Sequence, residues 1–200
     1  MRPFSSKKRK VRKFLSFRSY ITIFAASSDA TRVEQYLAMN DLPRREIVCG
    51  KEVPKDLNLI SYGQLDDLFD VPTGAEAVVN CCKVILGVET EDVMRERADL
   101  VLWFTAFCNK EVDRINKMFS SVRPDYEPEE KMAGIERLKF GSFGVLDWYA
   151  RRMGISDQNE VRGVPWIRIF QCMKNDNDYA NYEKRLRTVY KRKNQIRKKK

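Results

Sequence analysis

The sequence of 200 residues contains no histidine. Histidine is the side chain that titrates near neutral pH, and it is a common zinc ligand. Its absence excludes histidine-based catalytic triads, and acid–base catalysis would fall to carboxylates or to perturbed lysine, tyrosine or cysteine side chains. No pair of carboxylates is singled out by its spacing. We therefore predict a protein that is not an enzyme and that has no catalytic residues, no metal site and no cofactor.

Glycine-rich phosphate loops are also missing. The segment 141–144, Gly-Ser-Phe-Gly, lacks the Gly-Lys-Ser/Thr ending that holds a nucleotide phosphate, so it is more typical of a turn before a helix. Residues 176–178, Asp-Asn-Asp, resemble the start of a calcium loop, but the required glycine and distal glutamate do not follow. This segment is more typical of the start of a helix.

Cysteine is present in an odd number and without metal-site spacing. Adjacent Cys81 and Cys82 would point about 100° apart on a helix, so they cannot grip one metal ion together. A zinc site would have to collect distant thiols. We predict buried, reduced thiols at all five positions: Cys49, Cys81, Cys82, Cys108 and Cys172.

Long apolar runs are absent too. The run Tyr20–Ala26 is far shorter than the ~20 residues that span a bilayer. We therefore predict no transmembrane helix and no membrane partner.

Acidic residues are missing from both ends of the chain. All 28 lie between Asp29 and Glu183, whereas residues 1–18 carry eight of the 38 lysines and arginines and residues 184–200 carry ten. The 20 basic residues left for residues 19–183 give that part a net charge of −8, beneath an overall +10. The basic ends are the candidate polyanion-binding segments, with these residues: Lys7, Lys8, Arg9, Lys10, Arg12, Lys13, Lys191, Arg192, Lys193, Arg197, Lys198, Lys199 and Lys200. A solvated tail that only adds solubility explains the same composition.

The first 60 residues have a mixed pattern. Alternating side chains favour a strand over Tyr20–Ala26, and Ala30–Met39 favours a short helix. A strand over Glu46–Cys49 that enters a hairpin is also predicted, with a turn at Gly50-Lys51 followed by Glu52-Val53.

Helical patterns dominate from Ser61 onward. Ser61 and Gln64 have the spacing of a capping box, Gly87 is placed to end a helix, and Thr90 is placed to begin one. Ser120–Glu130 favours a loop. The predicted helices that follow Ser61 are 75–86, one from Thr90, 98–119, 130–138, 145–153 ended by Gly154, a turn capped by Ser156, a segment from Pro165, and a final helix from Asp176.

These patterns predict a mainly α-helical, bundle-like body with a small β-containing N-terminal part and basic flexible termini. The predicted division is a basic arm at 1–18, a small α/β part at 19–70, a helical body at 71–183 and a basic helix or tail at 184–200.

Four segments together resemble a known group of proteins. They are Leu57–Gln64, Glu111–Asn116, Phe140–Gly154 and Val164–Trp166. In this order, within roughly residues 57–190, they resemble small helical proteins of tailed bacteriophages that act as tail assembly chaperones. The resemblance implies a non-enzymatic morphogenesis protein that holds an aggregation-prone helical partner, such as a tape-measure protein, in the host cytoplasm. The basic first 18 residues depart from that group and favour the alternative, a nucleic-acid-binding or structural protein of the virion.

Aromatic residues are dense in the second half of the chain, where we expect some rings to be exposed. Aromatic and arginine side chains are typical of binding hot spots. The predicted partner-binding residues are Trp148, Tyr149, Arg151, Arg152, Arg168, Tyr179 and Tyr182. Packing of Trp148 and Trp166 between two helices is the alternative explanation for those two rings.

Overall fold

The computed structural model describes residues 15–24, 44–69, 74–122, 124 and 126–198. The fold is mainly α-helical with one small two-stranded sheet in its N-terminal part, as predicted. By their contacts the residues divide into two compact units, Met1–Val53 with Pro72–Phe107, and Pro54–Val71 with Cys108–Lys200. The predicted division of the chain stays a prediction.

The first unit begins with helix α1, Phe17–Phe24, where the sequence favoured a strand. The strand prediction for Tyr20–Ala26 was wrong because it followed the alternation of side chains over a short run. Phe17, Tyr20, Ile21 and Phe24 also recur at helical spacing, and Ser16 Oγ accepts a hydrogen bond from the Ser19 amide as an N-cap does (3.2 Å). The predicted helix Ala30–Met39 lies outside the described residues.

The hairpin is confirmed, with β1 at Ile47–Val48 and β2 at Lys51–Glu52 paired antiparallel, but its turn lies one residue earlier than predicted. Cys49 and Gly50 between them both have positive φ, 50° and 69°. A two-residue turn of this handedness matches the twist of the flanking strands and requires such angles.

Two helices complete the described part of the first unit, together with the start of a third. Helix α3 covers Ala75–Leu86 and ends at Gly87, as predicted. Helix α4 covers Thr90–Arg95, with Glu89 rather than Thr90 as its N-cap residue. The Glu89 side chain accepts from the Asp92 amide, which is the capping role that the sequence assigned to the Thr90 hydroxyl, and the Glu89 amide donates to Asp92 Oδ2 at 3.3 Å. Helix α5, Ala98–Ser121, follows the predicted stripe and contributes its first ten residues to this unit.

In the first unit, the residues at the start of α1 are hydrogen-bonded to the residues just before α5. The Phe17 amide donates to Glu96 O at 2.8 Å and the Ala98 amide to Leu15 O at 2.9 Å. Phe17 is 1% exposed. Residues 15–18, which the sequence grouped with the basic arm, are therefore built into the fold.

The second unit contains helix α2, Tyr62–Phe69, and the rest of α5. The predicted capping box is confirmed, because Ser61 and Gln64 exchange backbone-to-side-chain hydrogen bonds of 3.0 and 3.1 Å. The remaining elements are α6 at Pro128–Met132, a 3₁₀ turn at Ile135–Arg137, α7 at Gly141–Met153, α8 at Gln158–Arg162 and α9 at Trp166–Lys198.

Several boundaries in this unit differ from the predictions. The predicted helix 130–138 is instead α6 followed by a 3₁₀ turn, and α6 begins at Pro128, within the predicted loop Ser120–Glu130. Helix α7 begins at Gly141 rather than Val145, and Asp157 rather than Ser156 caps α8 by accepting from the Asn159 amide at 2.8 Å. The predicted break before Asp176 was wrong, because α9 is continuous for 33 residues. No glycine or proline interrupts α9, so nothing in its backbone chemistry ends it.

Candidate binding surface on the C-terminal helix

The start of α9 is fixed in the core of the second unit. Trp166 is fully buried, and its indole N–H donates to Leu57 O at 2.6 Å. Phe119 contacts the rings of Trp166 and Phe170, with centroids 5.9 and 5.6 Å apart. The prediction that Trp166 is a core residue is confirmed.

A polar cluster beside Trp166 holds the loop before α2. Glu111 accepts from the Leu57 amide at 3.1 Å and from Arg114 at 2.8 Å, and Arg114 also donates to Asn58 Oδ1 at 2.7 Å. The guanidinium of Arg114 lies 5.9 Å from the Trp166 ring centroid. Burial raises the pKa of Glu111, but the bonds from Arg114 and Leu57 outweigh it and hold that pKa below its usual range.

The middle of α9 is held by ion pairs. Asp176 accepts from Arg152 at 2.8 Å, Lys174 pairs with Asp178 at 2.7 Å, and Lys184 lies 3.7 Å from Glu127. These partly exposed pairs position the helix more than they stabilise it.

The predicted partner-binding residues do not form one exposed patch. Tyr149 is 1% exposed, so it cannot contact a partner in this fold. Trp148 is half-buried with Arg152 6.0 Å from its ring centroid, and Arg151 forms an ion pair with Asp147. Arg168 is exposed on α9, eleven residues before Tyr179.

Tyr179 and Tyr182 are the exposed members of that set that lie against each other. They are 64% and 51% exposed, and their ring centroids are 6.3 Å apart. The expectation that some of these aromatic rings are exposed is confirmed.

The last part of α9, residues 184–198, is the candidate polyanion-binding surface. It contains no acidic residue, and Lys191, Arg192, Lys193 and Arg197 are exposed. Within the described part of the chain, none of these four forms an ion pair. The backbone of Lys198 is described, whereas Lys199, Lys200 and the six predicted residues between Lys7 and Lys13 lie outside the described residues. The structure therefore presents one of the two predicted basic ends.

The other surface features of the described residues are weaker candidates for a functional site than the basic end of α9. An open groove of about 560 Å³ runs along α5, but its charged lining includes the mutually paired Glu111 and Arg114. In the described ranges, no three cysteine or acidic side chains are placed to hold a metal ion. None of the described helices is both long and apolar enough to cross a membrane.

Three of the five cysteines are buried as predicted, namely Cys81, Cys82 and Cys108, while Cys49 and Cys172 are half-buried.

Comparison of the chain with protein-family models, with curated proteins and with solved structures found no match in any of the three.

Proposed function

We propose that this protein acts by binding, and that the basic end of α9 binds nucleic acid. The observation that carries the proposal is the exposure of Lys191, Arg192, Lys193 and Arg197 on a helix segment without any acidic residue. Cations with no intramolecular partner keep their full charge for phosphate groups. Neutralising phosphates releases bound counterions, and this drives sequence-independent association.

The helical form of the segment supports nucleic acid as the polyanion. An α-helix fits the major groove of a duplex, and its cations can meet phosphates on both sides. Positive side chains at a helix C-terminus also complement the helix dipole, so the basic end is compatible with helix formation. No side-chain set in this segment predicts base recognition, and we expect binding to be independent of sequence.

The test is fluorescence anisotropy with a random-sequence duplex at about 50 and 200 mM salt. The triple variant Lys191→Gln, Arg192→Gln, Arg197→Gln should bind more weakly, and its log–log salt slope should fall by about 3, at roughly 0.9 per lost phosphate contact. The matched control, Lys110→Gln, Lys117→Gln, Lys131→Gln, removes the same charge from exposed positions elsewhere in the second unit.

The control triple variant should bind nearly as well as the unchanged protein. If both triple variants lost the same affinity for the duplex, binding would depend on net charge alone and not on the basic end of α9. If neither variant lost affinity, the proposal would be overturned. Tighter binding to vesicles that contain anionic lipid than to the duplex would also overturn it, in favour of a membrane surface.

A second candidate function follows from the exposed pair Tyr179 and Tyr182. In the role that the resemblance to tail assembly chaperones implies, these two rings would contact a helix of a tape-measure-like partner in the host cytoplasm. Co-purification with such a partner should then weaken when both tyrosines are changed to alanine, while thermal stability stays nearly constant. Unchanged co-purification by a folded double variant would remove this candidate. If the protein instead binds nucleic acid, we expect it to be part of the finished virion.

A further inference from the structure

The exposed side of α9 carries a regular stripe that continues past the tyrosine pair. Its members are spaced alternately three and four residues apart, as in the seam of a coiled coil: Tyr179, Tyr182, Leu186, Val189, Lys193 and Ile196. We call these six residues the seam. It extends over about 26 Å of helix at 1.5 Å per residue.

Most of the apolar seam residues are solvent-exposed in the single chain. Val189 and Ile196 are 49% and 62% exposed, and Leu186 is half-buried. The two tyrosines are exposed as well. A contiguous apolar stripe of this kind on a helix commonly marks an interaction surface. The spacing predicts that the occupant is another helix.

The charges that flank the seam select a second copy of the same chain and its direction. The first half of the seam is flanked by acidic Asp176, Asp178 and Glu183, and residues 184–198 have no acidic side chain. Antiparallel pairing would place each acidic half beside the basic half of the other copy. Opposite charges beside a seam are what set partner and orientation.

At individual positions, the register gives one attractive and one repulsive pair among the described flanking residues. If all six seam positions pair, Leu186 lies opposite Val189 of the second copy and Tyr179 opposite Ile196 of the second copy. Asp176, which pairs with Arg152 in the single chain, then flanks Arg197 of the second copy. Arg185 lies beside Arg192 of the second copy, which is repulsive, and Tyr182 lies opposite Lys193 of the second copy.

Parallel pairing is less favourable on the same positions. It would bring Asp178 beside Glu183 of the second copy and Arg192 beside Arg197 of the second copy, and both pairs repel. No opposite-charge pair at these positions offsets them.

We infer that this protein forms an antiparallel homodimer through the seam of α9. The inference does not rest on nucleic-acid binding. Lys193 belongs to the seam and Arg192 and Arg197 flank it. Of the four cations proposed to bind nucleic acid, Lys191 lies on the side of α9 away from the seam and stays exposed in such a dimer. The tyrosine pair is covered, so a partner protein would have to compete with the second copy.

Sedimentation of the full chain from about 1 to 100 µM tests the inference. The unchanged protein should be dimeric at the upper concentrations. The double variant Leu186→Asp, Val189→Asp should weaken dimerisation at least 100-fold, because it places four carboxylates in the central layers. The matched control, Thr188→Asp with Gln195→Asp, adds the same charge on the opposite side of the helix and should remain a dimer. Circular dichroism of each variant checks that the fold is kept.

The direction is tested by mixing the single variants Leu186→Cys and Val189→Cys under mild oxidation. Mass spectrometry should identify the 186–189 cross-link as the main product between the new thiols. A predominant 186–186 cross-link would contradict the antiparallel arrangement. A monomer at every concentration, or a dimer that the aspartate pair leaves intact, would overturn the inference and leave the seam to a different partner.

Discussion

At the scale of single residues, the second unit depends on Trp166 and on the polar groups around it. The ring is fully buried, contacts Phe119 and Phe170, and has its N–H satisfied by Leu57 O. A buried aromatic ring with a satisfied donor gives both apolar burial and a fixed orientation. Trp166 therefore fixes the start of α9 against the loop at Leu57.

Trp166→Ala should lower the free energy of unfolding by about 3 kcal/mol or more, because it leaves a large cavity and an unpaired carbonyl. Denaturant unfolding followed by circular dichroism measures this. Tyr179→Ala is the control on the same helix and should change stability little, because that ring is exposed. Equal losses for the two variants would contradict the assignment of Trp166 to the core.

Glu111 makes the stability of the second unit depend on acid. Its folded pKa lies below the ordinary value of 4.5, so its stabilising effect is present above pH 4.5 and is lost as the pH falls through the folded pKa. Glu111→Gln should therefore be less stable than the unchanged protein at neutral pH, and the difference should shrink below pH 4.5. Urea unfolding at a series of pH values checks this. A difference that stays constant down to pH 3 would contradict it.

Cys49 should be the most reactive of the five thiols. It is half-buried, and a hydrogen bond from the Cys82 thiol lowers its pKa despite burial and the nearby Glu96 and Asp92. The pKa of Cys82 is raised by that bond and by burial. Labelling with less than one equivalent of iodoacetamide, followed by peptide mass spectrometry, should find Cys49 modified first. Faster labelling of Cys172, which is also half-buried, would be the contrary result.

At the scale of elements, α2 and α8 meet at a glycine. A Cβ built on Gly63 would lie 3.0 Å from Arg162 O and 3.1 Å from Arg162 Cβ, so the two helices approach closely only because this position has no side chain. Arg162 then reaches Asp66 and Asp67 at 2.8 and 2.6 Å. The close approach and the ion pairs fix α8 against α2.

Gly63→Ala should destabilise the protein by about 1–3 kcal/mol, because the added methyl group meets backbone that cannot move without separating the helices. Thermal unfolding provides the measurement, and Gly63→Val serves as a graded control with a larger loss. Stabilisation by alanine, as its helix propensity alone would give, would contradict the close contact.

The sequence predicted elements well where local signals agreed with packing. Gly87 ended α3 and the Ser61–Gln64 box began α2, because both act within one helical turn. The prediction was wrong for α1, where the alternating side chains favoured a strand and the Ser16 cap was missed, and for α9, where Asp176 was predicted to start a helix. In α9 that carboxylate pairs instead with Arg152, a contact across 24 residues that local pattern cannot reveal.

The candidate surface on α9 could be predicted only in part, because local sequence patterns do not determine tertiary contacts. Exposure of some rings, as found for Tyr179 and Tyr182, was predictable because the aromatic residues of this region are too dense for all of them to be buried. Burial of Tyr149 depends on tertiary packing around α7, which the spacing of its neighbours does not determine. The three-and-four spacing through Ile196 is present in the sequence, but it becomes a seam only because α9 is continuous.

At the scale of the whole molecule, the separation of charge is the leading feature. The chain carries +10 overall, although residues 19–183 carry −8. A truncation that removes the basic N-terminal arm must stop before Leu15 to keep the fold, because Phe17 lies in the core. Four cations near the end of α9, Lys191, Arg192, Lys193 and Arg197, have the same independence from the core, because they form no ion pair within the described residues. Charge placed in this way can bind phosphate without changing the fold.

The most direct measurement of nucleic-acid binding is the protection of lysines from acetylation in the unchanged protein. Limited acetylation is quantified by mass spectrometry with and without a saturating random duplex at about 50 mM salt. Lys191 should be protected several-fold by the duplex, because its ammonium group would contact phosphate, while Lys110 and Lys117 should react at the same rate in both samples. Equal acetylation of Lys191 with and without the duplex, or equal protection of all three lysines, would contradict the proposal that the basic end of α9 binds nucleic acid.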